Sequence, residues 1–144
     1  MAKLKILFLC TGNSCRSQMA EGWARHLRGD AIDAWSAGVE PHAPDPLAVR
    51  VMAEAGVDIS SQRAKHVDEL TDIIFDYVVT VCGHADEQCP AFPAGTQRIH
   101  APFDDPPRLA RHAASDEERL APYRRVRDEI KTFIAERCPP RSCG

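Results

Sequence analysis

Ile6-Leu7-Phe8-Leu9-Cys10-Thr11-Gly12-Asn13-Ser14-Cys15-Arg16-Ser17 carries an uninterrupted apolar run straight into a short polar turn. Apolar residues that do not alternate with polar ones predict a parallel strand buried on both faces. After Ser14, the residues Met19, Trp23 and Leu27 recur at helical spacing and predict a helix. A tight turn from strand into helix aims consecutive backbone N–H groups at one point, beside the positive end of the helix, and so makes an anion cradle. Its residues are Thr11, Gly12, Asn13, Ser14, Cys15 and Arg16. Gly12 allows close backbone approach or a positive φ. Arg16 can hold a tetrahedral oxyanion through two parallel hydrogen bonds. Cys10 stands where a thiolate is favoured, because a helix N-terminus and a nearby cation lower a thiol from about 8.5 to roughly 3.5–7.5. The hydroxyls of Thr11 and Ser17 are placed to donate to its sulfur.

The rest of the chain bounds what such a loop can serve. At 144 residues it makes one domain, able to bury about two-thirds of the surface its unfolded form exposes. A net charge of −3 with no Lys/Arg run argues against nucleic acid. The apolar stretches near Ile6 and Tyr77 are too short to span a bilayer, and the N-terminus does not read as a signal peptide. A cytoplasmic monomer without a cofactor is the expectation. In that setting six cysteines point to reactive or redox thiols rather than structural disulfides. The spacings Cys10-x4-Cys15, Cys82-x6-Cys89 and Cys138-x4-Cys143 do not suit a structural zinc site.

Along the chain, residues 31–36 predict a second strand and residues 37–44 a loop. Asp45 caps a helix that has Pro46 at its first position, Leu47, Val51 and Met52 on one face, and Gly56 at its end. Residues 59–70 read as loop with one short helix, and 75–81 as a strand running into Cys82. A short strand over 97–100 precedes the loop 101–107. Ser115-Asp116-Glu117-Glu118 fits a capping box for a long helix with Leu120, Tyr123, Ile130, Phe133 and Ile134 inward. Pro122 is expected to kink that helix or delay its start. The alternation predicts an α/β single-domain, three-layer sandwich: a four-stranded parallel sheet with helices on both faces. Residues 1–137 form the domain, with 138–144 a frayed tail. Ligands bind such sheets at the carboxyl ends of the strands, where Cys10 and Cys82 both fall.

Cys82 and Cys89 make a second constellation. Were the residues between them helical, their Cα atoms would stand roughly 10 Å apart, against the limit of about 7 Å for a disulfide. Bonding them requires the segment to unwind, and Gly83 and Pro90 bracket it. The plainer reading is two half-buried thiols near a sheet edge.

Cys10 through Arg16 spells Cys-x5-Arg, a signature shared with cysteine phosphatases, and residues 10–21 resemble the opening of the thioredoxin-coupled arsenate reductases. Those enzymes have the low-molecular-weight protein tyrosine phosphatase fold, so the loop alone does not separate reductase from phosphatase. Residues 80–90 resemble the reductases' redox segment, with both cysteines at the same spacing, and the phosphatases lack that pair. The resemblance extends over about residues 4–137. It implies that Cys10 attacks arsenate while Arg16 holds its oxygens, that Cys82 and then Cys89 resolve the adduct, and that thioredoxin, recycled by thioredoxin reductase, reduces the Cys82–Cys89 disulfide. It implies Asp105, followed by Pro106, as general acid in preference to Asp104. Asn13, Glu21 and Ser36 would hold the loop's shape, and Cys15 would pack beneath it. Some relatives bind potassium there with an Asp from the segment after the second helix. Here that segment is Ser60-Ser61-Gln62-Arg63-Ala64-Lys65, without a carboxylate, so no metal is expected. Two readings compete with the reductase: a phosphatase needing only Cys10, Arg16 and Asp105, and a non-catalytic metalloid binder using several thiols. Cys138, Cys143 and His84 fall in the expected tail and loop.

Overall fold

A computed structural model describes residues 3–138, apart from the side chains of His84 and Asp86. Its four strands are β1 (Leu4–Cys10), β2 (Ile32–Gly38), β3 (Tyr77–Thr80) and β4 (Gln97–His100). All pair in parallel, in the order β2-β1-β3-β4. Ile6, Leu7, Phe8 and Leu9 are wholly buried, as a central strand covered on both faces requires. Five helices complete the fold: α1 (Arg16–Arg28), α2 (Pro46–Glu54), α3 (Gly83–Glu87), α4 (Pro106–Leu109) and α5 (Asp116–Arg137). Val67–Leu70 is a 3₁₀ turn. No helix among the described residues is long and apolar enough to cross a membrane.

Side chains alternate across β2, and its two faces meet different partners. On one, Ser36 donates to Glu21 of α1 (2.7 Å), and Arg25 of α1 donates to the Ala34 carbonyl. On the other, Trp35 packs edge-to-face on Phe75, and Phe75 on Phe92. Helix α5 lies against α1, where the Trp23 indole donates to the Arg127 carbonyl. The chain leaves β1 for β2 on one side and returns to β3 on the other, so the order reverses at the carboxyl ends of β1 and β3. That reversal opens the crevice of a doubly wound sheet.

Local chemistry explains the element ends. Asp45 accepts from the Leu47 N–H and Pro46 opens α2, while Gly56 takes φ 86° just beyond it. At α5, the Ser115 hydroxyl accepts from the Glu118 N–H, but Glu118 reaches the Ala114 N–H rather than that of Ser115, so the capping box is shifted by one residue. Pro122 neither delays nor ends α5. It removes one backbone donor near the start of a long helix whose Leu120, Tyr123, Val126, Ile130 and Ile134 are buried. Phe133 is only half-buried, and Val126 belongs to the inward face beside the residues expected there.

Several boundaries differ from expectation, and β3 is shorter than the strand expected over 75–81. Strand β2 runs on to Gly38, which pairs with Cys10. A Cβ on Gly38 would fall 2.7 Å from the Thr11 carbonyl oxygen and 2.9 Å from the Asn13 nitrogen, so only glycine lets this strand lie against the anion loop. The loop after β4 ends at Asp105, because Pro106 and Pro107 open α4. Cys138 is buried against the core, with 2% of its surface exposed, and is not part of a frayed tail. Burial pushes its thiol up to about 12. Cys143 lies outside the described residues.

Candidate active site

Three loops meet at the carboxyl edge of the sheet. The turn after β1 carries residues 11–15, the end of β3 leads to Cys82, and the segment after β4 carries Asp105. In the anion loop Asn13, not Gly12, takes the positive φ (49°). Asparagine tolerates that region better than most residues. A Cβ at Gly12 would stand 2.7 Å from the exposed His42 ring, so a larger residue there would have to displace that ring. The loop is tied on several sides. Asn13 donates to the Ser17 hydroxyl (2.8 Å) and accepts from the Lys65 N–H (3.0 Å). Gln18 donates to the Asn13 carbonyl, and the Ser14 carbonyl accepts from the Asp45 N–H. Asn13, Ser17, Glu21 and Ser36 are all buried, so these bonds form where unpaired polar groups would be costly. Gly38 and His42, which shape the loop from outside, stand apart in sequence and carry no motif of their own.

Arg16 opens α1 beneath this loop. One terminal nitrogen donates to the Phe103 carbonyl (3.0 Å), the other lies 3.7 Å from the Asp105 carboxylate, and Nε is buried without a partner. The guanidinium thereby ties the Asp105 segment to the loop and keeps donor capacity for an oxyanion. Asp104 instead pairs with Arg125 (3.0 Å), outside the site.

The thiols divide by environment. Cys10 and Cys82 are buried and close enough for each thiol to shift the other's titration. The Thr11 hydroxyl lies 3.1 Å from the Cys82 sulfur, and the Ala85 N–H, in the first turn of α3, also points to it (3.4 Å). Donation from Cys10 therefore draws Cys82 down to about 5 against the cost of burial, with help from Thr11, Ala85 and the Arg16 charge. The bond to Cys82 and burial push Cys10 well above its ordinary value, although Arg16 and the Thr11 N–H oppose them. The Cys82 sulfur thus collects more donors than the Cys10 sulfur that it faces. This corrects the expectation that the Thr11 hydroxyl serves the Cys10 sulfur, since it lies against Cys82 instead.

Cys89 is half-buried just beyond the other end of α3, and neither it nor Cys82 is in a disulfide. Cys15 is buried in the core under the loop, where burial first and then the Asp45 charge raise its thiol. The His84 side chain lies outside the described residues.

Residues 5–136 match the family described as low molecular weight phosphotyrosine protein phosphatase. An arsenate reductase of Halalkalibacterium halodurans is 52% identical over 137 residues, which cover 92% of this chain and 96% of that protein. Among solved structures, an arsenate reductase in a phosphate-binding state superposes with a TM-score of 0.68 at 29% identity, over 91% of this chain and 93% of that one. A thioredoxin-dependent arsenate reductase of Corynebacterium glutamicum gives 0.64 at 25% identity, over 91% of this chain and 60% of the other.

Proposed function

We propose, on the premise that the chain belongs to the low molecular weight phosphotyrosine protein phosphatase family, that it reduces arsenate to arsenite through a three-cysteine relay. The observation that carries this reading is the thiol pair: an oxyanion loop whose Cys10 faces Cys82, with Thr11 of the loop bonded to the second sulfur. Ester hydrolysis has no use for that second thiol. The arsenate reductases among the relatives support the same substrate.

Arsenate binds in the loop, held by the backbone N–H groups of residues 11–16 and by the Arg16 fork. The Cys10 proton passes to the Cys82 sulfur as Cys10 attacks arsenic. One As–O bond breaks, and Asp105 protonates the departing oxygen, which leaves as water. Ser17, which already accepts from Asn13, keeps its own proton to donate at the Cys10 sulfur. Cys82 then attacks the Cys10 sulfur. The As–S bond breaks with its electron pair on arsenic, giving arsenite, and the Cys82 proton leaves with it. Cys89 attacks Cys82 in turn and frees Cys10. Cys82 and Cys89 lie at opposite ends of α3, so that step requires the segment between them to unwind. Thioredoxin reduces the resulting disulfide, and the relative that depends on thioredoxin supports this choice of reductant.

In the coupled assay with arsenate, thioredoxin, thioredoxin reductase and NADPH, the wild type is expected to turn over continuously. Cys89→Ser is expected to release one arsenite per enzyme and stop. Hydrolysis of a phosphate ester, a weak side activity of the same loop, should survive the substitution. Continued arsenate turnover by Cys89→Ser would exclude the relay.

A potassium ion does not fit this chain. Lys65 Nζ stands 4.0 Å from Glu21 Oε1 and donates to the Arg63 carbonyl (3.1 Å), with 12% of its side chain exposed. The ammonium thus puts a positive charge beside Glu21 and the loop, and burial draws its pKa down while the Glu21 carboxylate opposes that shift. Arsenate reduction is expected to run at the same rate in potassium and sodium buffers. A severalfold stimulation by potassium would contradict this.

A further inference from the structure

An anion loop works only if its N–H groups point inward, and a planar trans peptide sends each N–H opposite to the carbonyl before it. The carbonyls of this loop are held from outside. Val39, Glu40, His42 and Asp45 donate their backbone N–H groups to the carbonyls of Cys10, Thr11, Gly12 and Ser14 (3.2, 2.8, 2.8 and 2.9 Å), and Gln18 Nε2 donates to that of Asn13 (2.9 Å). The N–H groups of residues 11–15 are thereby turned the other way. Among the described residues, no acceptor takes the N–H groups of residues 12–15. The segment after β2 is thus a rack that sets the direction of the oxyanion donors.

Residues 41–45 of that rack lie in no helix or strand, so a few anchors fix them. Asp45, at its end, is the strongest of these. Its N–H holds the Ser14 carbonyl, its Oδ1 accepts from the Leu47 N–H at the start of α2 (2.9 Å), and its Oδ2 accepts from the Tyr123 hydroxyl of α5 (2.5 Å). One residue thereby joins the loop, α2 and α5. Tyr123 is 3% exposed. Burial first and then the bond to Asp45 push its phenol far above the ordinary value, so the hydroxyl remains a donor at any working pH. The Asp45 charge reaches Cys15 beneath the loop as well.

We infer that Tyr123, acting through Asp45, is a positioning residue for the bound oxyanion. Its hydroxyl fixes the Asp45 carboxylate, the fixed residue holds the Ser14 carbonyl outward, and the Cys15 N–H is aimed at the anion. The inference rests on the loop being the oxyanion site, as proposed above, and not on the relay. Donors held in place before the anion arrives need no rearrangement when it binds, which is what makes them effective.

The test titrates inorganic phosphate into the reduced full-length protein, a measurement that needs no turnover, and follows the backbone amides by nitrogen-15 NMR. Tyr123→Phe is expected to weaken phosphate binding about tenfold and to raise the arsenate KM in proportion. The Cys15 amide should respond less to saturating phosphate than in the wild type, while the Asn13 amide, which follows the Gly12 carbonyl held by His42, responds as before. Asp45→Asn keeps an oxygen for the Leu47 N–H and an amide that can donate to the Tyr123 oxygen, so its Kd should stay within about twofold of wild type. Ser115→Ala removes the cap of α5 and makes no change at Asp45; it should lower the melting temperature without moving the Kd. A Kd for Tyr123→Phe within about twofold of wild type would overturn the assignment. An equal loss of phosphate binding in Ser115→Ala would also overturn it, since the effect would then belong to the stability of α5. A wild type that binds no phosphate would overturn the oxyanion site and this assignment with it. A wild type that binds phosphate but does not reduce arsenate would sink the relay alone, since the tenfold loss in Tyr123→Phe would still be read in phosphate binding.

Discussion

Cys82→Ser is expected to abolish turnover and to release no arsenite at all, while Cys10 becomes more reactive than in the wild type. These opposite effects come from one contact. In the resting site Cys82 collects the donors, and its contact with Cys10 is the largest influence raising the Cys10 thiol. Removing Cys82 removes that influence, and the Arg16 charge and the Thr11 N–H then act on Cys10 with only burial against them. Its thiolate should form at lower pH than before, and its alkylation at neutral pH should speed up. The sign for Cys82 is the reverse. A thiol drawn down to about 5 is thiolate above that pH and is lost below it. The thiolate absorbance of the wild type should therefore rise with a midpoint near 5, and that step should vanish in the variant. An arsenate adduct on Cys10 is the most that Cys82→Ser can make, since no sulfur remains to displace arsenic from it. Slower alkylation of Cys10 would show that Cys82 does not hold the proton there. Arsenite released by the variant would show that another thiol resolves the adduct.

That contact marks where sequence reading reaches its limit. Cys10 and its loop are legible because strand, turn and helix follow one another within a dozen residues, and α2 is legible from Asp45, Pro46 and Gly56 alone. The bond from Thr11 to Cys82 spans 71 residues and depends on β1 and β3 being neighbours in the sheet. No local pattern encodes which of two facing thiols will carry the charge. Helix α4 has the same Asp-Pro opening as α2, but its four residues are too few to show a periodicity. Cys138 reads as tail because Pro139 and Pro140 follow it, yet its burial is set by packing against the core. Gly38 reads as loop because glycine is a breaker, whereas here it lets β2 approach the backbone of Thr11 and Asn13.

Arg16→Lys keeps the charge and loses the fork, and arsenate reduction is expected to fall by about 10²–10³ in kcat/KM. A lysine could still draw arsenate into the loop as a point charge, but it cannot span two oxygens in one plane. It would also forfeit the bond to the Phe103 carbonyl and the approach to Asp105, the two contacts that tie the acid's segment to the anion loop. Nucleophile and acid come from segments far apart in the chain, and Arg16, at the end of the anion loop, bridges to the Asp105 segment. The deficit should therefore appear in kcat as well as KM, and single-turnover arsenite release should slow in proportion. A variant with near-normal kcat and a raised KM would reduce Arg16 to an anchor for the ground-state anion. Equal losses in both the adduct-forming step and the overall rate would place it at the developing charge of the transition state, holding Asp105 against the leaving oxygen.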